Sequence, residues 1–214
     1  MSPTEKQASY TTTNSYVTLN ELTEKTKRIW IVLHGIGYLS RYFLKYFDEL
    51  NADENYIVAP QAPSKYYLKN EYRHVGASWL TKENTQQEKS NVIAYLEAVM
   101  KEENLPTDHK LIILGFSQGV SIATRWLAHS KLNCDHLVLY AGGIPTELVA
   151  SDFDFLEQNG TKITVLVGNR DEYLTAQVMK KQSMLITTLF RGRALQTVFE
   201  GGHEMKKELL TQFS

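Results

Sequence analysis

The stretch LIILGFSQGVSI, residues 111–122, decides the fold of this chain. Its apolar block, Leu111–Leu114, leads into a serine between two glycines, and a segment of helical character follows. The glycines permit a turn from strand to helix that is too tight for larger side chains, and such a turn exposes the serine hydroxyl. The pattern therefore favours Ser117 as a nucleophile. The alternative is a plain glycine turn in which Ser117 only caps the helix.

Apolar blocks of the same kind occur along the rest of the chain. They predict strands at WIVL (30–33), YIVA (56–59), LIIL (111–114), LVLY (137–140), ITVLV (163–167) and LQTVF (195–199). Short runs rich in Val and Ile are typical of strands that are covered on both faces. Between them, apolar spacing of three and four predicts helices at 91–102, 121–128, 174–185 and 204–213. This alternation predicts an α/β fold, with a mostly parallel central sheet and helices on both faces.

Length and composition predict a single domain. The chain has 214 residues, of which 43% are hydrophobic and 22% charged, as in an ordinary globular protein. The threonine-rich residues 9–22 predict an antiparallel edge hairpin, so that residues 1–26 provide edge strands to a domain spanning 1–214. Residues 61–79 are predicted to be an irregular loop, and loops of that length in compact domains are often functional.

Charge and cysteine content narrow the class of partner. Lys and Arg number 23 and Asp and Glu 24, so neither nucleic acid nor an anionic membrane is expected to bind. The first 17 residues lack the basic and then apolar pattern of a secretory signal, and no apolar run reaches membrane-spanning length. The only cysteine, Cys134, cannot form an internal disulfide, which is typical of a reducing compartment. We therefore expect a cytoplasmic protein that acts on a small molecule.

A nucleophilic serine needs a base, and the six histidines are the candidates. In open parallel sheets, functional groups lie at the carboxyl ends of the strands. The histidines that precede a strand or end a helix are expected at the opposite edge: His109, His129 and His136. Of the remaining His34, His74 and His203, the last is favoured because it follows the final predicted strand.

A carboxylate is also needed, to orient the base. Asp171 follows ITVLVGNR directly and is favoured because it lies nearest to the end of its strand. The other acidic residues that satisfy the order serine, acid, histidine are Glu147, Asp152, Asp154 and Glu172. The alternative role for Asp171 is that of a helix N-cap.

Two backbone N–H groups are needed to stabilise a negatively charged tetrahedral oxygen. The residue after the nucleophile, Gln118, supplies one candidate donor. The glycine-rich loop His34–Gly37 supplies the other candidate, the N–H of Ile36. The alternative for this loop is an ordinary glycine turn between a strand and a helix.

Together these motifs resemble the α/β-hydrolase superfamily and, within it, the phospholipase/carboxylesterase family that includes acyl-protein thioesterases. In chain order they are LHGIG (33–37), APQAP (59–63), SW (78–79), GFSQG (115–119), GNRD (168–171) and GGH (201–203). The resemblance implies an α/β-hydrolase fold without a separate cap domain. It implies that Ser117 is the nucleophile, His203 the base and Asp171 the orienting acid. It also implies that the N–H groups of Ile36 and Gln118 form the oxyanion hole.

Two residues depart from the family pattern. Tyr38 follows HGIG and Val120 follows GFSQG, where the family often has Asp and Gly. These departures concern the choice of substrate rather than the catalytic residues. Tyr38 narrows the predicted pocket mouth and Trp79 is predicted to line an acyl groove, so both are predicted substrate-pocket residues. The alternative is that the loop aromatics only anchor the loop to the core.

The sequence therefore predicts a serine hydrolase that forms an acyl-enzyme on carboxylic esters of short to medium chain length, with thioesters as a second class. The alternatives are a ligand-binding module on a hydrolase fold with little turnover, and a peptidase or lactone hydrolase on the same fold. No cofactor or metal is predicted. The segment that starts at His203 begins like the zinc motif H-E-x-x-H but ends in Lys207, and no glycine-rich nucleotide motif is present.

Overall fold

The computed structural model describes residues 2–69 and 72–214, and these form nine strands. The strands are β1 (Tyr16–Leu19), β2 (Arg28–Leu33), β3 (Asn55–Pro60), β4 (Ser64–Tyr67), β5 (Val75–Ser78), β6 (Lys110–Phe116), β7 (His136–Tyr140), β8 (Lys162–Gly168) and β9 (Leu195–Phe199). Seven of them form the central sheet in the order β1-β3-β2-β6-β7-β8-β9, and β4 pairs with β5 in a separate hairpin. All six predicted strands are confirmed.

The central sheet is parallel apart from its first strand. β1 runs antiparallel to β3, and every other neighbouring pair is parallel. The register places Leu33 opposite Gly115, and Phe116 opposite Tyr140. The carboxyl ends of β2, β6 and β7 therefore lie side by side, and the loops that follow them meet at one edge of the sheet.

Helices cover both faces of the sheet, which confirms the predicted fold class. They are α1 (Ser40–Phe43), α2 (Thr85–Glu103), α3 (Gln118–Ser130), α4 (Asp154–Gln158) and α5 (Ala176–Leu189). Side chains of β2 alternate between two apolar clusters, with Ile29 and Ile31 in one and Trp30 and Val32 in the other. The first cluster contains residues of α2, α3, α4 and α5, and the second contains residues of α1 and of the C-terminal segment. This two-sided burial explains why the strands read as continuous apolar runs.

Three segments differ from their predictions. A single strand, β1, replaces the predicted hairpin in residues 9–22. The predicted loop 61–79 contains the β4–β5 hairpin, in whose first strand all four residues are exposed, so that no apolar alternation reveals it. Residues 204–213 form two short 3₁₀ turns, Lys207–Leu209 and Thr211–Phe213, instead of a helix. Met205, Leu210 and Phe213 are buried in this segment, so packing against the sheet overrides the helical spacing.

Candidate active site

Ser117 lies at a strained turn between β6 and α3. Its backbone has φ 53° and ψ −118°, outside the regions that non-glycine residues normally occupy. A Cβ added to Gly115 would lie 2.4 Å from the carbonyl oxygen of Gly119, and one added to Gly119 would lie 2.0 Å from that of Leu33. Only glycine fits at either position. The two glycines therefore allow the turn that sequence reasoning expected, and strain of this kind is concentrated at functional sites.

The hydroxyl of Ser117 points to a histidine rather than into its own helix. Ser117 occupies the N-cap position of α3 but makes no side-chain capping hydrogen bond. Its Oγ lies 2.8 Å from Nε2 of His203, and its N–H donates to the carbonyl oxygen of Tyr140 at 2.8 Å. The backbone bond fixes the turn against the end of β7. The hydroxyl is thereby free to donate to the imidazole.

The other nitrogen of His203 meets Asp171. The Nδ1–H of His203 donates to Oδ2 of Asp171 at 2.8 Å, and the carboxylate is fully buried. Its second oxygen, Oδ1, accepts the backbone N–H groups of Tyr173 and Leu174, each at 2.9 Å. Asp171 thus orders the loop before α5 and orients the imidazole at the same time. A carboxylate accepts only, so Nδ1 must carry the proton and Nε2 is left as an acceptor.

Three of the four rival acids have other partners. Glu147 forms an ion pair with Arg125 at 2.7 Å, and Asp154 forms one with Arg191 at 2.6 Å. Asp152 accepts the N–H of Val149 at 2.9 Å. The structure brings Asp171 to His203 and does not bring these three carboxylates there.

Two aromatic rings pack against His203. The ring of Phe116 lies 5.3 Å from the imidazole centroid, and Tyr173 meets it edge-on at 4.7 Å. Phe116 is buried, whereas 67% of Tyr173 is exposed. Sequence reasoning missed Tyr173, although its place two residues after the predicted acid was a usable signal. The two rings restrict the imidazole to the orientation in which it meets Ser117.

The loop His34–Gly37 lies against Ser117. A Cβ added to Gly35 would lie 3.0 Å from the Cβ of Ser117, so glycine is needed for this approach. The backbone N–H groups of Ile36 and Gln118 have no hydrogen-bond acceptor among the described residues. The two predicted donors are therefore available, one on each side of the serine turn. The side chain of Ile36 is 53% exposed beside them.

The side chain of His34 holds this loop in place through hydrogen bonds of its two ring nitrogens. It is completely buried, and its Nδ1–H donates to the carbonyl oxygen of Gly35 at 2.8 Å. Its Nε2 accepts the N–H of Ala62 at 3.1 Å. Burial lowers the pKa of His34 to about 4, so the ring is neutral near pH 7. His34 follows a strand at the same edge as His203, but one of its nitrogens bonds within the loop and the other bonds to Ala62.

The two predicted pocket residues have different surroundings. Tyr38 is half-buried, packs on Phe116 with ring centroids 5.8 Å apart, and shares a hydrogen bond of 3.2 Å with the hydroxyl of Tyr46. Trp79 is fully buried, with 0% exposure, and its Nε1–H donates to the carbonyl oxygen of His34 at 2.8 Å. The prediction that Trp79 lines an acyl groove is therefore wrong, because its ring is enclosed by the core beneath the loop.

A sizeable cavity lies at the opposite, amino-terminal edge of the sheet. Its volume is about 650 Å³, and its lining includes Met100, Leu105, His109 and Cys134 but not Ser117. Burial raises the pKa of the Cys134 thiol to about 12, so this thiol is not a ready nucleophile. His109 and His136 precede β6 or begin β7 at this same edge, as the sequence predicted.

The described residues, 2–69 and 72–214, contain no cluster of three or more His, Cys, Asp or Glu side chains that could hold a metal ion. Among the helices of that part of the chain, none has the length and apolar character needed to cross a membrane.

The chain is similar in sequence to one protein family and in structure to several known hydrolases. The profile described as Phospholipase/Carboxylesterase matches residues 14–214. No curated protein matches the sequence significantly. Acyl-protein thioesterase 2 of Zea mays has a TM-score of 0.71 at 15% identity, over 94% of this chain and 96% of that one. A phospholipase/carboxylesterase of Dyadobacter fermentans has a TM-score of 0.66 at 20% identity, over 96% and 98%. A Bacillus cereus carboxylesterase has 0.63 at 15%, over 94% and 91%. These structures share the fold.

Proposed function

Because this chain belongs to the phospholipase/carboxylesterase family and is an esterase-type hydrolase, we propose that it cleaves carboxylic esters through an acyl-enzyme formed on Ser117. The observation that carries the proposal is the chain of two hydrogen bonds, each 2.8 Å, from Ser117 through His203 to Asp171. A serine hydroxyl is a weak nucleophile at neutral pH, and an oriented base within this distance activates it.

In the proposed reaction, Oγ of Ser117 attacks the carbonyl carbon while its proton moves to Nε2 of His203. The tetrahedral oxygen accepts hydrogen bonds from the N–H groups of Ile36 and Gln118. Nε2 then returns the proton to the departing alcohol or thiol as the carbon–oxygen or carbon–sulfur bond breaks. Water then attacks the carbonyl carbon of the acyl-enzyme while its proton moves to Nε2 of His203. Nε2 returns the proton to Oγ of Ser117 as the bond between Oγ and the acyl carbon breaks, and the carboxylic acid is released. Throughout, the buried carboxylate of Asp171 stabilises the imidazolium.

We propose acyl groups of short to medium length, with thioesters as a second class of substrate. The exposed side chains of Ile36 and Tyr173, 53% and 67% accessible, offer an apolar but limited surface beside the serine. Half-buried Tyr38 packs on Phe116 and is proposed to limit the pocket on that side. The lone cysteine leads us to propose a cytoplasmic setting as well.

The test combines covalent labelling with a substrate series. Native protein and the Ser117→Ala variant are treated with a fluorophosphonate probe, then assayed with aryl esters of increasing acyl length and with matched thioesters. Ser130→Ala is the control, because Ser130 ends the same helix at the opposite edge of the sheet. We expect labelling and turnover in the native protein and the control, and neither in Ser117→Ala. Equal labelling of Ser117→Ala, or an inactive native protein, would falsify the proposal.

A further inference from the structure

Residues 77–80, the last two residues of β5 and the two that follow the strand, contact both sides of the candidate oxyanion site, and we call these four residues the brace. On one side it holds the His34–Gly37 loop. The N–H of Gly37 donates to the carbonyl oxygen of Ala77 at 2.8 Å, and the indole N–H of Trp79 donates to that of His34, also at 2.8 Å. Ile36 lies between these two anchored residues. Its N–H is therefore fixed in direction by bonds on either side.

On its other side the brace holds the side chain of Gln118. The N–H of Trp79 donates to Oε1 of Gln118 at 2.8 Å. Nε2 of Gln118 donates to the carbonyl oxygen of Leu80 at 2.7 Å and to Oγ of Ser78 at 3.1 Å. Both ends of the amide are therefore bonded to the brace. The first residue of α3 is fixed by its side chain, while its own N–H stays available.

The backbones of β5 and of the His34–Gly37 loop lie too close together for these contacts to be incidental. A Cβ added to Gly76, the residue before the brace, would lie 2.6 Å from the carbonyl oxygen of Gly37. The hairpin strand thus packs its backbone directly on the glycine-rich loop. Trp79 completes the connection, because its indole bonds to one side and its backbone N–H to the other. The brace is one rigid link between two segments that are distant in sequence.

We propose that the brace positions the two oxyanion donors relative to each other, with Trp79 and the side chain of Gln118 as its positioning residues. This inference rests on the proposed function. Donors stabilise a tetrahedral oxygen only within a narrow range, about 2.7 to 3.1 Å from it. Two donors on separate loops meet that requirement only if the loops are held together. The brace holds them, and it does so without touching the reacting atoms.

The test uses two substitutions that remove brace bonds and leave both backbone donors in the chain. Trp79→Phe removes the indole N–H, and Gln118→Met removes the amide from a partly exposed position at the start of α3. Trp30→Phe is the matched control. Trp30 lies on β2 and is equally buried, and its indole N–H donates to the side-chain oxygen of Asn55, on β3, at 3.0 Å. The variant Trp30→Phe therefore loses an indole hydrogen bond of the same kind, but outside the brace.

We expect kcat to fall about 10- to 100-fold in each brace variant, because small misplacements of catalytic groups have effects of this size. KM should change less than about twofold, since ground-state binding does not use the donors in full. Affinity for a trifluoromethyl ketone, which forms a tetrahedral adduct, should fall in step with kcat, while inhibition by the product acid stays unchanged. In the double variant the loss should be smaller than the product of the two single losses.

Outcomes that contradict the brace are distinct from those that contradict the proposed function. Native kcat in both brace variants, together with an inactive Ser117→Ala, overturns the brace and leaves the proposed function standing. An equal loss of kcat in Trp30→Phe assigns the effect to general destabilisation and also overturns it. If Trp79→Phe does not fold, Gln118→Met with the same ketone measurement decides. Full activity of Ser117→Ala would instead remove the premise.

Discussion

The two edges of the central sheet differ in what they offer a small molecule. The amino-terminal edge has a cavity of about 650 Å³ with a thiol in its lining, but that thiol is Cys134, whose pKa burial raises to about 12. The carboxyl-terminal edge has Ser117, His203 and Asp171 in one hydrogen-bonded chain. This cavity and the hydrogen-bonded chain therefore lie at opposite edges of the sheet. The cavity is therefore not lined by any of the three residues of that chain.

The two edges also differ in where their strained backbone residues lie. Both edges contain non-glycine residues with positive φ, but these serve different ends. At the amino-terminal edge, Asn104 and Lys131 have φ 44° and 54° as the C-caps of α2 and α3, which is a common way to end a helix. At the carboxyl-terminal edge, Ser117 and Ala141 have φ 53° and 48° directly after β6 and β7. There the strain exposes a side chain and orders the neighbouring turn.

The largest contrast is expected for two aspartates, one at each edge, whose carboxylates accept backbone N–H groups. Asp171→Asn should lower kcat about 10⁴-fold, because an amide at this position favours the wrong tautomer of His203. Asp135→Asn is the matched change at the other edge, where Oδ2 accepts the N–H of Leu111 at 2.8 Å, and it should leave kcat unchanged. Steady-state kinetics on one aryl ester measures both. Similar losses in the two variants would contradict the proposed role of Asp171.

A second contrast concerns two glycines. Gly119→Ala should cost about 3 kcal/mol of unfolding free energy or more, because its Cβ would meet backbone at 2.0 Å, in the carbonyl oxygen of Leu33. Gly160→Ala, before β8 at the other edge, has φ 68° and nothing within 4 Å of its Cβ. It should cost only the backbone strain, about 1 to 2 kcal/mol. Urea unfolding of both variants gives the comparison, and equal losses would mean that crowding at the serine turn is unimportant.

The smallest effect is a shift of stability with pH to which both edges contribute. Burial lowers the pKa of His34 and of His136 to about 4, with the positive charge of Lys162 adding to the effect at His136. In the unfolded chain each imidazole takes up a proton near its ordinary pKa of about 6.5, whereas the folded chain does so only near pH 4. The unfolded state then binds more protons, so stability is lost as pH falls from about 6.5 towards 4.

For buried His34 the loss is up to about 3 kcal/mol, and for the more exposed His136 it is smaller. Urea midpoints at pH 7 and pH 5 measure the sum of the two contributions. His136→Asn removes the contribution of the amino-terminal edge. The difference between the two midpoints that remains in this variant then includes the contribution of His34 but not that of His136. If the difference between the midpoints in this variant equals that of the native protein, His136 is not held neutral in the folded state.

Much of the arrangement at the carboxyl-terminal edge could be predicted, because it follows from strand order. Apolar runs identify strands, and parallel strands place the residues that follow them at one edge, which brought Ser117, Asp171 and His203 together. The assignment of catalytic roles to them stays a prediction. The role of Trp79 was misjudged, because sequence does not tell a ring that faces a groove from one enclosed in the core. The bonds of the Gln118 side chain depend on where β5 ends, and no local pattern reveals that.

The errors in the fold have a common physical origin. Helical spacing in residues 204–213 reflects burial of Met205, Leu210 and Phe213, and two 3₁₀ turns satisfy that burial as well as a helix does. All four residues of the strand Ser64–Tyr67 are exposed, so the period-2 signal that marks half-buried strands is missing. Periodicity predicted elements where one face is buried, and it failed where tertiary packing decided the conformation.

His203 follows β9, and β9 is one of the two edge strands of the central sheet, bonded to β8 on one side only. Edge elements open at a lower free energy than the core of a domain does. If β9 separates from β8, we expect His203 to move away from Ser117 while β2, β6 and β7 remain paired. Under the proposed mechanism, turnover would therefore report on the pairing of β9 with β8. On heating, activity should be lost before the bulk of the secondary structure, and it should return on cooling without complete refolding.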